Sequence, residues 1–95
     1  MNIKRDTGEV IIENTKINLT KNEMLIFIEL KNCNVVTMEK LYERIYKVKV
    51  LKVSVHDEAL IKSAIWRLKQ KIKDFAEIKN RYGIGYEMRF INGKI

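Results

Sequence analysis

Between residues 62 and 73 the chain carries Lys62, Ser63, Trp66, Arg67, Lys69, Gln70 and Lys73. Arginine, lysine, glutamine and serine are the side chains that hydrogen-bond base edges or grip phosphate oxygens. Ile61, Ala64, Ile65, Leu68, Ile72 and Phe75 interleave with them at three- and four-residue steps. On a helix that spacing gathers the apolar residues into one core stripe. Lys62, Ser63, Trp66, Gln70 and Lys73 then lie opposite it, flanked by Arg67 and Lys69. The major groove of B-DNA admits one such helix. A face that is merely solvated alternates in sign, whereas this one is almost wholly cationic. The acids Asp57 and Glu58 fall in the first turn, where they suit the helix dipole. Trp66 stands amid the polar face and needs a partner there: nucleic acid, the preceding connector or another subunit.

Two further groups that could meet an anionic partner lie outside this segment. Asn80, Arg81 and Tyr82 stand near the bend of a predicted hairpin, whose tip can reach a minor groove or a phosphate backbone. Lys47, Lys49 and Lys52 lie in the connector before the helix. The formal net charge is +7 on 95 residues and the pI is about 9.6, which favours an anionic partner.

Residues for catalysis are few. His56 is the single histidine, so a nucleophilic triad or a zinc site has no second imidazole to draw on. It reads as a solvent-exposed or helix-capping residue. Gly83-Ile84-Gly85 is followed by neither Lys-Ser nor Lys-Thr and opens no helix, so it is not a phosphate loop. The remaining acids form no paired constellation. Cys33, the one cysteine, reads as a small semi-buried thiol in a turn. The expectation is a protein that is not an enzyme and holds no cofactor and no metal.

The elements that must position these residues follow from capping, periodicity and turn signals. Ninety-five residues suffice for one domain over 1–95. Residues 1–19 read as short strands, Ile3–Arg5, Glu9–Glu13 and Lys16–Leu19, punctuated by Thr7-Gly8 and Asn14-Thr15. Thr20-Lys21-Asn22-Glu23 is a capping box, with Leu19 and Met24 set for a hydrophobic staple. The helix it opens runs to about Lys31, and its nearly all-round apolar surface predicts burial. Thr37 caps a second helix with Met38, Leu41, Tyr42 and Ile45 at helical period. Lys47–His56 is a basic connector whose valines suggest extended structure, and the third helix spans about Asp57 to Phe75. A three-helix core over 20–75 precedes a β-hairpin over 77–90, with Gly83 and Gly85 at its bend for positive φ or close approach. The fold class is α+β. No apolar run approaches the roughly 18 residues of a membrane span and the first residues lack a signal-peptide layout. With a single cysteine, this predicts a cytoplasmic setting and no membrane partner.

Three stretches resemble the winged-helix effector domain of OmpR/PhoB-type two-component response regulators. Leu19-Thr20-Lys21-Asn22-Glu23 is similar to the family's opening of the first helix. Val36 to Leu41 with Ile45-Tyr46 resembles its second helix. Ile65-Trp66-Arg67-Leu68-Lys69-Gln70-Lys71-Ile72, followed by Ile78 and Tyr82-Gly83-Ile84-Gly85-Tyr86, resembles its recognition-helix and wing signature. The likeness covers about residues 16–90.

The resemblance implies an N-terminal antiparallel sheet, a winged helix-turn-helix and double-stranded DNA as partner. The third helix would lie in the major groove and the hairpin wing on the minor groove. It implies that Arg67, Lys62 and Trp66 face DNA and that Lys69 takes a phosphate where the family has arginine. Members commonly bind tandem direct repeats as pairs, so dimerisation on DNA is implied as well. In the family the loop between the second and third helices contacts RNA polymerase; here it is several residues longer. Tyr82 occupies the place of the usual wing arginine, and Arg81 substitutes for it only if the hairpin register or backbone bends. The N-terminal sheet is abbreviated and no receiver domain is present, as in a free-standing regulator or an excised effector domain.

These readings converge on sequence-specific DNA binding and transcription regulation. Lys62, Ser63, Trp66, Arg67 and Gln70 would reach base edges. Lys69, Lys73, Lys47, Lys49 and Lys52 would neutralise phosphates, and Arg81 and Tyr82 would supply the wing contact. Two other readings stay open. One is a protein-docking module using Trp66 with Val50, Leu51, Val53 and Val55; the other is RNA or nonspecific nucleic-acid binding.

Overall fold

A computed structural model of the protein describes residues 1–91. Strands β1 (Asn2–Lys4), β2 (Glu9–Ile12) and β3 (Thr15–Asn18) form an antiparallel sheet in that order. Its register aligns Ile3, Val10 and Ile17 across the three strands, so one face supplies a row of apolar side chains to the core. Glu13 and Asn14 turn β2 into β3 with φ of 48° and 66°, the left-handed pair that a two-residue hairpin loop requires. The Leu19 N–H donates to the Gly8 carbonyl at 2.7 Å and ties the sheet to the first helix.

Helix α1 (Lys21–Asn32) begins with the predicted capping box. The Glu23 N–H donates to Thr20 Oγ1 at 3.3 Å, and the Thr20 N–H donates to Glu23 Oε1 at 3.1 Å. Leu19 and Met24 are both buried beside it, as a staple demands. Ile26, Phe27 and Leu30 sit deep in the core, and Phe27 meets Phe90 edge to face at 6.5 Å between ring centroids. Burial on nearly every side agrees with the apolar reading of this helix. Cys33 closes α1 and is exposed rather than semi-buried; its thiol donates to Glu29 Oε2 at 3.8 Å.

Helix α2 (Met38–Tyr46) starts at Thr37, whose side chain accepts from the Lys40 N–H at 3.1 Å. Leu41 is fully buried, while Met38, Tyr42 and Ile45 pack against the core from its edge. Arg44 reaches α1 and pairs with Glu29 at 2.6 Å. The connector that follows forms no strand. Val53 alone turns fully inward, and Leu51 stands free in solvent.

Helix α3 (Val55–Ile72) starts two residues before the predicted Asp57. Ser54 is the cap: its hydroxyl accepts from the Asp57 N–H at 3.2 Å and donates to Asp57 Oδ2 at 3.0 Å. Ser54→Ala is therefore expected to lower stability by about 1 kcal/mol. Urea unfolding of the two proteins would show it, and equal midpoints would reject the cap. The helix ends three residues before the predicted Phe75, where the chain turns and the Phe75 N–H bonds the Ile72 carbonyl at 2.8 Å. The predicted stripe holds, with Ile61, Ala64, Ile65, Leu68 and Ile72 all buried.

Strands β4 (Ala76–Arg81) and β5 (Gly85–Phe90) follow as an antiparallel hairpin. The outer edge of β5 is stitched to the α1–α2 turn: Val36 and Tyr86 exchange N–H to carbonyl bonds, both 2.8 Å. That bridge sets the hairpin against the helical core, alongside α3.

Candidate nucleic-acid interface

Four sides of α3 have different fates, and their angular positions follow from 3.6 residues per turn. The core stripe faces α1 and α2. On the flank toward α1, Arg67 and Lys71 converge on Glu23, whose carboxylate has no exposed surface. The outer face carries Ser63, Trp66 and Gln70, all exposed. The flank toward the hairpin carries Lys62 and Lys69.

Arg67 is half exposed, with its Nε donating to Glu23 Oε2 at 3.2 Å. Lys71 Nζ donates to Glu23 Oε1 at 2.6 Å. Burial pushes the Glu23 carboxyl up. The hydrogen bond and charge of Lys71, the Thr20 N–H and the Arg67 hydrogen bond together outweigh it and hold the carboxyl below its ordinary value of 4.5. Arg67, expected as a base reader, is thus committed at one nitrogen to the opening turn of α1.

Trp66 is 62% exposed and is not absorbed into the core. With Lys62, Ile65, Lys69, Ile78, Asn80 and Tyr86 it lines a groove of about 270 Å³ between α3 and the hairpin. Lys62 pairs with Glu58 one turn earlier at 2.8 Å, and that hydrogen bond and charge raise its ammonium pKa. Lys69, Gln70, Lys73 and Ser63 have no side-chain hydrogen bond or ion pair among the described residues. Their polar groups are open to a ligand.

The hairpin bend divides its predicted contacts. Gly83, with φ of 75°, occupies the third position of a turn closed by the Ile84 N–H on the Arg81 carbonyl at 2.9 Å. Tyr82, at the second position, is 98% exposed, and Ile84 beside it is also exposed. Arg81 is tied to Glu87 Oε1 at 3.0 Å. Sequence reasoning placed Asn80 near the hairpin tip but did not join it to α3 as a member of the groove. The signal was present: Asn80 lies two residues beyond buried Ile78, and alternate strand residues share a face.

The connector lysines are not joined to this surface by any hydrogen bond or ion pair among the described residues. Lys47 ends α2 with φ of 59°, and it lines a groove with Arg5, Leu25 and Glu29 on the side of the N-terminal sheet and α1. Lys49 lines a shallow hollow with Lys40 and Glu43 of α2, and Lys52 is exposed. The apolar set Val50, Leu51, Val53 and Val55 does not form one surface either, since Val53 is buried while Leu51 and Val55 project outward. His56 is exposed in the first turn of α3, where Ser54 supplies the cap. No three of histidine, cysteine, aspartate and glutamate gather as a metal site among the described residues. No helix is long and apolar enough to cross a membrane among them.

A short antiparallel sheet, three helices and a terminal hairpin lying beside an exposed third helix define a winged-helix domain. Two solved structures share this fold over nearly the whole chain. The DNA-binding domain of Bacillus subtilis CssR matches at a TM-score of 0.71 and 21% identity, covering 93% of this chain and 98% of its own. The DNA-binding domain of the response regulator AdeR, in complex with an intercistronic region, matches at a TM-score of 0.70 and 24% identity, covering 92% and 90%. At these identities the likeness is one of fold. No protein-family profile matches the chain, and no curated protein matches it in sequence.

Proposed function

We propose that this chain binds double-stranded DNA sequence-specifically and regulates transcription from the cytoplasm, with α3 in the major groove and the hairpin wing on the minor groove and backbone. The observation that carries this reading is the unpaired polar face of α3 running into the groove it shares with the hairpin. Lys69, Gln70, Ser63 and Trp66 are exposed on one helix and offer cation, amide, hydroxyl and aromatic groups, with Trp66 and Lys69 lining the groove. Gln70 and Ser63 have the donors and acceptors to read base edges, each good contact being worth about 1–3 kcal/mol of discrimination. Lys69 and Lys73 would neutralise phosphates. The fold shared with two DNA-binding domains supports the same reading.

Selection from a randomised duplex pool, followed by affinity measurements over a salt series, tests it. The expected result is an enriched motif whose binding weakens with salt by a slope of several phosphates. Lys69→Ala is expected to weaken binding to all duplexes alike by about three- to tenfold and to lower the salt slope by about one. Gln70→Ala should instead relax preference at one position while leaving the slope alone. Salt-sensitive binding with no enriched sequence would replace the specific reading with a nonspecific one.

Exposed Leu51 and Val55 favour a second, compatible role for the connector as a protein contact. RNA polymerase is the partner that the family resemblance implies, as it implies paired occupancy of tandem sites. A selected motif lacking any repeat would count against the paired arrangement.

A further inference from the structure

We infer that the wing meets DNA through two uncharged residues, Asn80 and Tyr82, and that Arg81 is an internal strut and not a DNA contact. This rests on the DNA-binding reading above and specifies which wing residues act in it. The register pairs Ile78 with Met88, Asn80 with Tyr86 and Arg81 with Gly85. Ile78 and Tyr86 are buried toward the helices, which puts Asn80 on the same face and Arg81 on the other. Asn80 accordingly lines the groove with Lys62, Trp66 and Lys69. Arg81 turns away and pairs with Glu87, a residue that is itself half-buried on the outer face. Bringing Arg81 to the helix side would take a one-residue slip of the hairpin, which would pull Ile78 out of the core and break the Val36–Tyr86 bridge.

The chemistry of the inner face is that of a neutral reader. The Asn80 amide offers both a donor and an acceptor to minor-groove edges, where adenine N3 and thymine O2 present acceptors only. The Tyr82 ring, held at the second position of the turn and almost wholly exposed, has an apolar face for a sugar and a hydroxyl for a phosphate oxygen. Neither releases a counterion, so the wing adds affinity without adding to the salt dependence, which falls to the α3 lysines.

Asn80→Ala, Tyr82→Ala and Arg81→Ala should be compared with the unaltered protein on the selected duplex over a salt series. All three side chains are exposed, and circular dichroism melts verify that each variant is folded. Asn80→Ala and Tyr82→Ala are expected to weaken binding by about five- to tenfold each, at an unchanged salt slope. Arg81→Ala is expected to stay within about twofold at the same slope. The inference is overturned if Arg81→Ala lowers the slope by about one, or if the Asn80 and Tyr82 variants bind as tightly as the parent. Because the parent and Lys69→Ala are measured alongside, failure of the DNA reading is distinct: the parent would then show no preferred duplex at all.

Discussion

Gly85→Ala is expected to cost about 3 kcal/mol or more and to detach the wing from the helical core. A Cβ at this position would lie 2.2 Å from the Val36 carbonyl oxygen, 2.7 Å from its carbon and 3.0 Å from the Thr37 Cα. All three are backbone atoms, and no rotamer change moves them away. They belong to the segment that exchanges two hydrogen bonds with Tyr86 and then caps α2 through Thr37. Relief of the clash therefore breaks the bridge, disturbs the cap, or both, and each loss adds to the steric cost. Gly83 two residues earlier provides the control. It has φ of 75°, but a Cβ there would meet no atom within 4 Å. Gly83→Ala therefore carries only the backbone penalty of about 1 kcal/mol. Urea unfolding measures both changes, and amide exchange at Val36 and Tyr86 localises the first. Unfolding of Gly85→Ala within about 1 kcal/mol of the parent would mean that the hairpin is not seated against the α1–α2 turn.

The second large effect falls on Glu23. Glu23→Ala removes a buried carboxylate that closes the capping box and receives Arg67 and Lys71 from α3. Loss of one partner from a fully buried ion pair costs about 3–5 kcal/mol. Here the two cations are 51% and 36% exposed and can return to water, so the charge component is reduced to about 2 kcal/mol. The lost capping interaction adds about 1 kcal/mol. Glu23→Gln separates the two, because glutamine still serves in a capping box but carries no charge.

The pH dependence has a definite sign. Glu23 is held below its ordinary value of 4.5 when folded, so its stabilisation is complete above that value and is lost as pH falls through the folded pKa. The gap between the parent and Glu23→Gln should be constant near neutral pH and close progressively in acid below 4.5. A gap that persists undiminished at about pH 3 would assign the effect to packing and not to charge.

Much of the fold was legible because its signals are local. A capping box spans four residues, and a core stripe repeats every three or four. Thr20 and Glu23 therefore announced α1, and Ile61 through Ile72 announced the buried side of α3, from spacing alone. Gly83 and Gly85 were both marked for positive φ or close approach, and each proves to serve one of the two. The helix boundaries were less legible. Ser54 captures the start of α3 from Val55 through a side-chain bond to Asp57, which competed with the extended preference of the valines before it.

By its own pattern the sequence determined the order of elements, the buried stripe of each helix and the polar, cation-flanked character of the exposed side of α3, because periodicity and caps act within a few residues. Tertiary structure alone decided the rest. Glu23 reads as an ordinary capping acid until packing brings Arg67 and Lys71 to it across 44 and 48 residues. Arg81 reads as a wing cation until the register turns it outward to Glu87. Trp66 stays in solvent beside Asn80 because the Val36–Tyr86 bridge holds the hairpin at the edge of α3. Which side of a strand or helix a polar residue serves depends on what packs against it, and only the assembled fold supplies those neighbours.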